Sequence, residues 1–456
     1  MKRFKGLCMV LQVLSLVLFF GLSVCVAEPQ LTLEDVGKLY QQIEVLKKKV
    51  EELEKKMRQK EVKEEKLKKD IEEVKEAKKT IEEIKERIGN ISIHGGVVSY
   101  YQAASSVDIK TDDGWQHFAN PDGVGYVADI ELGWEPIESG EFYMRIHAGE
   151  GNGADGGDEG LEDAGALFAD LNTINDDNPD DSEVDVLEAY YTQTLFDEML
   201  SVSFGKTEPL VFMDDNEFAN DECAQFVGKP FVNNPMLDSE DEYGPILALS
   251  LNPKFLKPLK DVTFTVLVQS SSYPRNEDTN EKTKDIWSNF FRRPLLAGQI
   301  TYSPTIRGMS GNYRIYGWVQ TYKHDRSVVN KTGTDEGWGI GFSCDQYLTE
   351  KIGVFGRFGY HNDEVYEVPI FYSIGAFLKG IIPKRENDEI GIGLAGLKAN
   401  HAFDDHDTEF HTEGYYRFHI TDNFAITCDL QYVADPKGNT SNDDIWAGMI
   451  RGEFSF

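Results

Sequence analysis

The residues best suited to chemistry lie in one long connection, residues 207–243, where carboxylates and amides are interspersed with aromatic side chains. Such polar groups would bind solutes through hydrogen bonds. A connection this long in a compact protein is either functional or disordered, and its Phe and Leu content favours packing. The candidate binding residues are Asp214, Asp215, Asn216, Asn220, Asp221, Gln225, Asn233 and Asn234.

A second group of charged residues lies on the polar face of segments in which apolar and polar residues alternate. Guanidinium and carboxylate groups bind vicinal hydroxyls through bidentate hydrogen bonds, and nearby tyrosines offer stacking faces. The alternative is that these charges pair with one another and only solvate and stiffen the wall. Both interpretations are open for Arg145, Glu188, Arg314, Arg357, Glu413 and Arg417.

The sequence contains no motif for covalent or metal-assisted catalysis: it lacks a nucleophile elbow, a Walker loop and an HExxH helix. We therefore expect neither an enzyme nor a bound cofactor. The net charge of −33 argues against a nucleic-acid partner, because phosphate needs a basic surface. This acidity serves solubility, or it concentrates cations at an acidic mouth or lumen.

The acidic connection 150–186 is similar in composition to calcium-ligand clusters. It lacks the spaced ligands and the closing Glu of an EF-hand, so a solvated acidic loop is the alternative to a calcium site. Beyond the first 27 residues, Cys223, Cys344 and Cys428 are an odd set without zinc or disulfide spacing, which indicates inert structural thiols.

Two segments precede the alternating region. Residues 1–27 combine a basic start, an apolar run from Leu7 to Leu22 and the small residues Cys25 and Ala27, which predicts a secretory signal cleaved after Ala27. Residues 28–90 carry apolar residues at heptad spacing, which predicts a coiled-coil stalk. The stalk is either a plain spacer or a tether to peptidoglycan or another periplasmic partner.

Residues 91–456 switch to a period of two, with one face suited to lipid and the other to water. We count about sixteen such segments, and the connections between them alternate between long and short. This pattern predicts an all-β transmembrane barrel of about 16 antiparallel strands in an outer membrane, with the first and last residues of the barrel segment and the stalk on the periplasmic side. The predicted segments begin near residues 91, 124, 141, 187, 198, 244, 261, 294, 312, 336, 350, 370, 388, 409, 423 and 444.

Two stretches of this region resemble the carbohydrate-selective porins of the OprB type. One contains Asp215-Asn216, Ala219-Asn220-Asp221 and Phe231-Val232-Asn233-Asn234-Pro235, and the other contains Asp429-Leu430-Gln431-Tyr432 and Asp435-Pro436. The resemblance implies a 16-stranded barrel, often trimeric, that passes sugars by diffusion. The long coiled coil departs from the typical member and is similar to siderophore-porin-like relatives.

Together these observations predict a passive pore for small solutes, with carbohydrates as the expected cargo and outer-membrane lipid as its surroundings. Loop 207–243, folded into the lumen, would narrow the pore. The alternatives are a siderophore or cation porin, and a barrel that tethers the envelope through its stalk. A barrel enzyme such as a lipase is disfavoured because no catalytic constellation is present.

Overall fold

A computed structural model describes residues 48–49, 90–111, 114–156, 160–162, 165–175, 184–237, 243–273 and 284–456. The predicted signal segment and almost all of the predicted stalk lie outside these residues, so both stay predictions. Within the described residues, no helix is long and apolar enough to cross a bilayer.

The described chain forms strands and a few short helical turns. The strands are β1 (Asn90–Ala104), β2 (Val107–Thr111), β3 (Gly114–Phe118), β4 (Asp122–Ile137), β5 (Gly140–Glu150), β6 (Asp185–Leu195), β7 (Leu200–Thr207), β8 (Gly244–Leu251), β9 (Val262–Gln269), β10 (Leu295–Tyr302), β11 (Thr305–Ile306), β12 (Met309–Asp325), β13 (Thr334–Thr349), β14 (Ile352–His361), β15 (Ile370–Lys379), β16 (Glu389–Lys398), β17 (Thr408–Thr421), β18 (Phe424–Ala434) and β19 (Ile445–Ser455). The helical turns are Pro209–Val211, Lys229–Val232, Lys257–Leu259, Arg326–Val329 and Pro436–Gly438.

Sixteen of the described strands form one closed antiparallel barrel. Each pairs with its neighbour in the chain, and β1 pairs on one side with β4 and on the other with β19, from Gly96–Ser455 to Ala104–Ala447. The hairpin of β2 and β3 stands outside this sheet, and β11 is a two-residue piece of the turn before β12. The predicted barrel is therefore confirmed, and all sixteen predicted starting positions lie within three residues of an observed strand start.

The outer face of the barrel is an apolar band between two girdles of aromatic residues, as a bilayer requires. Aliphatic side chains at mid-strand are 51–65% exposed, namely Ile300, Ile315, Ile340, Ile374, Ile392 and Leu430. One girdle contains Trp134, Tyr302, Phe418, Phe454 and Phe456, and the other contains Tyr101, Tyr126, Trp338, Tyr372 and Trp446.

The two ends of the barrel differ in the length of their connections. The short ones, such as residues 138–139 and 422–423, lie at what we call the turn end, together with the start of β1 and the end of β19. The long ones lie at the opposite, loop end. Two of these matter for the interior: loop L2, residues 151–184, and loop L3, residues 208–243.

The described parts of loop L2 between residues 151 and 175 fold inward at the loop end. Leu161 and Leu171 pack with Ile109 of β2 and Ile445 of β19 in one buried cluster. Asp155 lies at 0% exposure, and its carboxylate accepts a 2.8 Å hydrogen bond from the backbone N–H of Asn172.

The predicted calcium site in connection 150–186 stays untested. Residues 157–159 and 176–183, which hold most of its acidic pairs, lie outside the described part. In the part that is described, no group of three or more His, Cys, Asp or Glu side chains is arranged to hold a metal ion.

A lysine in the apolar band should destabilise the barrel. Ile450 faces outward at the middle of β19, so Ile450→Lys should lower the free energy of unfolding by about 2–4 kcal/mol in urea titrations in phospholipid bilayers. Ile306→Lys, in a turn, should cost about 1 kcal/mol or less. Equal costs at the two positions would contradict the assigned membrane depth.

The fold of loop L2 should depend on pH through Asp155. Burial raises the pKa of this carboxyl well above its ordinary value of 3.8, and nearby Asp170 and Glu162 add to the shift. The folded loop therefore binds the proton more tightly than the unfolded loop. The resulting stability is complete below pH 3.8 and is lost as the pH rises through the raised pKa.

Hydrogen exchange, corrected for intrinsic rates, should show residues 165–175 better protected at pH 4 than at pH 8. In Asp155→Asn, which keeps an oxygen for the Asn172 N–H, protection should be the same at both values. A pH-independent wild type would contradict this role for Asp155.

Candidate functional site

Residues 208–237 of loop L3 lie inside the barrel, as their aromatic content predicts. Phe218 stacks on Phe377 of β15 with ring centroids 5.3 Å apart, and Phe226 meets Tyr415 of β17 edge-on at 5.0 Å. Phe218, Phe226 and Phe231 are at most 1% exposed. The loop therefore covers the inner face of β14–β17 with a packed apolar layer.

Inward-facing glycines make room for this layer. A Cβ built on Gly353 of β14 would overlap the ring of Phe218, and one built on Gly359 would overlap Met236. On β16, a Cβ on Gly393 would lie 2.6 Å from the ring of Phe231. These glycines share the inward parity of their strands, which is the sequence signal that could have identified them.

A buried ion pair fixes the first half of L3. Arg357 Nε lies 2.9 Å from Asp214 Oδ2, and both side chains are 0% exposed. The same guanidinium donates to the carbonyl oxygens of Phe231 at 2.7 Å and Ala219 at 2.6 Å. Arg357 thus joins three points of the loop to β14.

Two further charged residues hold the middle of L3. Glu413 of β17 accepts hydrogen bonds from the backbone N–H groups of Val227 at 2.7 Å and Gly228 at 2.9 Å. Arg451 of β19 donates to the carbonyl oxygens of Glu222 at 2.6 Å and Gln225. Wall charges therefore satisfy loop backbone groups that no regular secondary structure pairs.

Several predicted solute-binding residues accordingly contact protein, because the loop or the wall already occupies their polar atoms. Asn216 donates to the carbonyl oxygen of Cys344 at 3.2 Å, and Asn234 donates to that of Phe358 at 3.2 Å. This corrects the prediction of a solute-facing position for six residues: Asp214, Asn216, Asn234, Arg314 (2.6 Å from Asp345), Arg357 and Glu413. Arg417 is half-buried and pairs with Glu389 at 3.1 Å.

What stays open is a cavity of about 650 Å³, here called the central cavity, between L3 and the wall of β1, β4, β5, β6 and β19. It extends to the turn end, where His94, Asn423 and Ser455 line it. Five predicted residues line it: Arg145, Glu188, Asn220, Asp221 and Asn233. Asp215 is exposed elsewhere, and Gln225 donates to the carbonyl oxygen of Glu217 within L3.

Arg145 is at the centre of a polar cluster on one side of this cavity. Its Nε lies 3.1 Å from Glu188 Oε1, and its Nη2 donates to the Tyr243 hydroxyl at 2.8 Å. The Tyr243 hydroxyl donates to Glu208 at 3.3 Å. Tyr143 and Tyr190 lie next to each other on the inner face, 5.3 Å between centroids.

Sequence reasoning did not select Tyr243 or Glu208, which lie in the loop-to-strand joints where parity gives no guidance. The acidic residues that line the central cavity are Asp129, Glu131, Glu188, Glu208, Asp221, Glu222 and Glu453. Of the three barrel cysteines, Cys223 also lines it, Cys344 is half-buried and Cys428 is exposed; all three are unpaired thiols.

Breaking the buried ion pair should release L3. Arg357→Met leaves Asp214 buried without its partner, which costs about 3–5 kcal/mol. We expect larger and more variable single-channel conductance and faster proteolysis within residues 208–237. Asp214→Asn combined with Arg357→Met should recover part of the loss, and Asp215→Asn, one residue away and exposed, should behave as wild type. Wild-type conductance in Arg357→Met would contradict the anchoring role.

Filling a glycine space should also displace the loop. Gly353→Ala places a methyl group against Phe218, and overpacking of this kind costs about 1–3 kcal/mol. The matched control is Gly356→Ala on the outer face of the same strand, where the nearest atom to the new Cβ would be 3.5 Å away. Conductance and thermal unfolding should change in the first variant only; equal effects would exclude this packing role.

Comparison with known proteins now adds to this geometry. The family model described as "Carbohydrate-selective porin, OprB family" matches residues 137–456. Porin B of Pseudomonas aeruginosa is 23% identical over 202 residues, which cover 34% of this chain and 44% of that protein. An uncharacterized protein of Aquifex aeolicus is 29% identical over 224 residues, 49% of this chain and 56% of that protein.

The chain thus spans about half the length of the curated relatives it matches. A solved high-pH structure of Pseudomonas putida OprB superimposes with a TM-score of 0.63 at 17% identity, covering 80% of this chain and 94% of that chain. That likeness shows a shared barrel fold. With its match over most of the barrel, the chain belongs to the carbohydrate-selective porin family of the OprB type.

Proposed function

We propose that this protein is an outer-membrane porin through which small polar solutes, sugars foremost, diffuse passively. The observation that carries the proposal is the central cavity of about 650 Å³, which L3 leaves open along one side of a closed barrel. Its volume lies in the range of small-molecule sites. Family membership supports sugars as the cargo.

The cavity offers a sugar the contacts that a pore needs. Arg145, which Glu188 holds through an ion pair at 3.1 Å, presents its guanidinium to the cavity for hydrogen bonds to sugar hydroxyls. Tyr243 adds a ring next to them. Each contact replaces a bond to water, so a solute can enter without being trapped, as conduction requires.

We place the barrel in outer-membrane lipid through its apolar band and aromatic girdles, with the turn end facing the periplasm, as the short connections indicate. We also propose that the protein forms a homotrimer. Its stalk would reach a periplasmic partner such as peptidoglycan.

Planar-bilayer recording tests the proposal. The purified full chain should form channels, and added maltose or glucose should reduce their conductance in a dose-dependent way. Arg145→Gln should weaken this sugar effect about tenfold, because a charge-assisted hydrogen bond contributes roughly 1.5–3 kcal/mol. Arg307→Gln, in an exposed turn, is the matched control.

Absence of channels from correctly folded protein would refute the pore. Channels that sugars do not affect, but that pass ferric siderophores in uptake assays under iron starvation, would favour the alternative cargo.

A further inference from the structure

The central cavity carries unbalanced charge. Seven carboxylates line it, and Arg145 is the one Lys or Arg among the lining residues in the described part of the chain. The carboxylates come from different sides: Glu131 from β4, Asp221 from L3 and Glu453 from β19. Negative charge therefore surrounds the path of a solute.

Neighbouring basic side chains contact only some of these groups. His147 Nδ1 lies 2.8 Å from Asp129, and Arg417 pairs with Glu453 from the wall. Among the described residues, no Lys, Arg or His forms an ion pair with Glu131 or Asp221. The Asp221 carboxylate instead accepts backbone N–H groups of Cys223 at 3.0 Å and Ala224 at 2.9 Å, which holds it at the cavity edge.

Loop L3 separates the two signs of charge. Arg357 and Arg451 lie between L3 and the wall, are at most 3% exposed, and donate to carbonyl oxygens of the loop. Asp221 and Glu222, on the same loop, line the cavity. Arg357 and Arg451, which fix the loop, are thus withdrawn from the solute path, whereas Asp221 and Glu222 are presented to it.

We propose that the pore is charge-selective: it favours cationic solutes and, among sugars, carries amino sugars in preference to sugar acids. This inference rests on the proposed pore function and specifies its cargo. Low-dielectric walls around a water-filled path focus the field of the carboxylates, which raises the local concentration of cations. An amino sugar also keeps the hydroxyls that suit Arg145 and gains charge-assisted hydrogen bonds to carboxylates.

Reversal potentials measure the charge preference directly. With the full chain in a bilayer under a tenfold KCl gradient, potassium should permeate about tenfold more readily than chloride. The ratio should fall in 1 M salt, where the Debye length shrinks to about 3 Å. Glu131→Gln combined with Asp221→Asn should lower the ratio about threefold, and Asn at 221 keeps an acceptor for the two N–H groups.

A matched control removes the same two charges from exposed turns outside the cavity: Asp197→Asn combined with Glu350→Gln. This double variant should keep the wild-type ratio. If it lowers the ratio as much as the cavity variant does, overall charge is responsible and the assignment to Glu131 and Asp221 is wrong.

Sugar flux tests the cargo. Proteoliposomes at pH 6.5 are offered glucosamine, glucose and glucuronate, which share one ring size and differ in charge. Glucosamine should enter fastest and glucuronate slowest, with rates about tenfold apart. Glu131→Gln combined with Asp221→Asn should reduce this difference in rate.

The outcomes separate the two proposals, and the wild-type protein alone decides between them. No conductance and no flux of any sugar would refute the porin itself. Conductance with equal potassium and chloride permeability, or glucuronate entering as fast as glucosamine, would overturn charge selectivity and leave the porin standing.

Discussion

Backbone pairing between β1 and β19 is the constraint on which the rest of the structure depends. A strand surrounded by hydrocarbon has no water to satisfy its N–H and C=O groups, so a sheet in a bilayer is stable only when it closes. Here β1 contributes both of its edges, one to β4 and one to β19. Closure fixes the parity of every strand, and parity decides which side chains meet lipid and which meet the interior.

The interior then has to be filled without being blocked. L3 does this by placing aromatic rings over inward glycines and by giving its unpaired carbonyl and N–H groups to Arg357, Arg451 and Glu413. Burying a charge is costly unless it is paired and hydrogen-bonded, and each of these charges meets several partners. The loop is held against one wall, and the opposite wall is left for solute.

The sequence predicts the barrel closely because its signal is repeated sixteen times and depends only on a period of two. An error in assigning one strand can be recognised, because long and short connections must alternate around the barrel. The outward face of β19 follows this period of two, with Trp446, Ile450 and Phe454 exposed.

The interior was harder to predict, because an inward position does not show whether a side chain will face water or a loop. Arg145 and Arg357 are alike by parity, yet Arg145 lines the central cavity and Arg357 is wholly buried under L3. Deciding between them requires the path of L3, which depends on long-range packing of Phe218 and Phe231 that no local pattern encodes. Tyr243 was missed because it lies at a loop-to-strand joint, where parity gives no guidance.

The pairing of β1 with β19 also has a consequence for how the protein is assembled. Ala104 pairs with Ala447 and Gly96 with Ser455, so the partners lie about 350 residues apart in the chain. Contacts between such distant residues form late, because a long loop has to close before any bond is gained. Until the last strand is synthesised, β1 has one unpaired edge exposed, and an unpaired edge is a template for association with another chain. The cell therefore has to hold nearly the whole polypeptide in an unassembled state, and barrel assembly is timed by the arrival of its final eleven-residue strand.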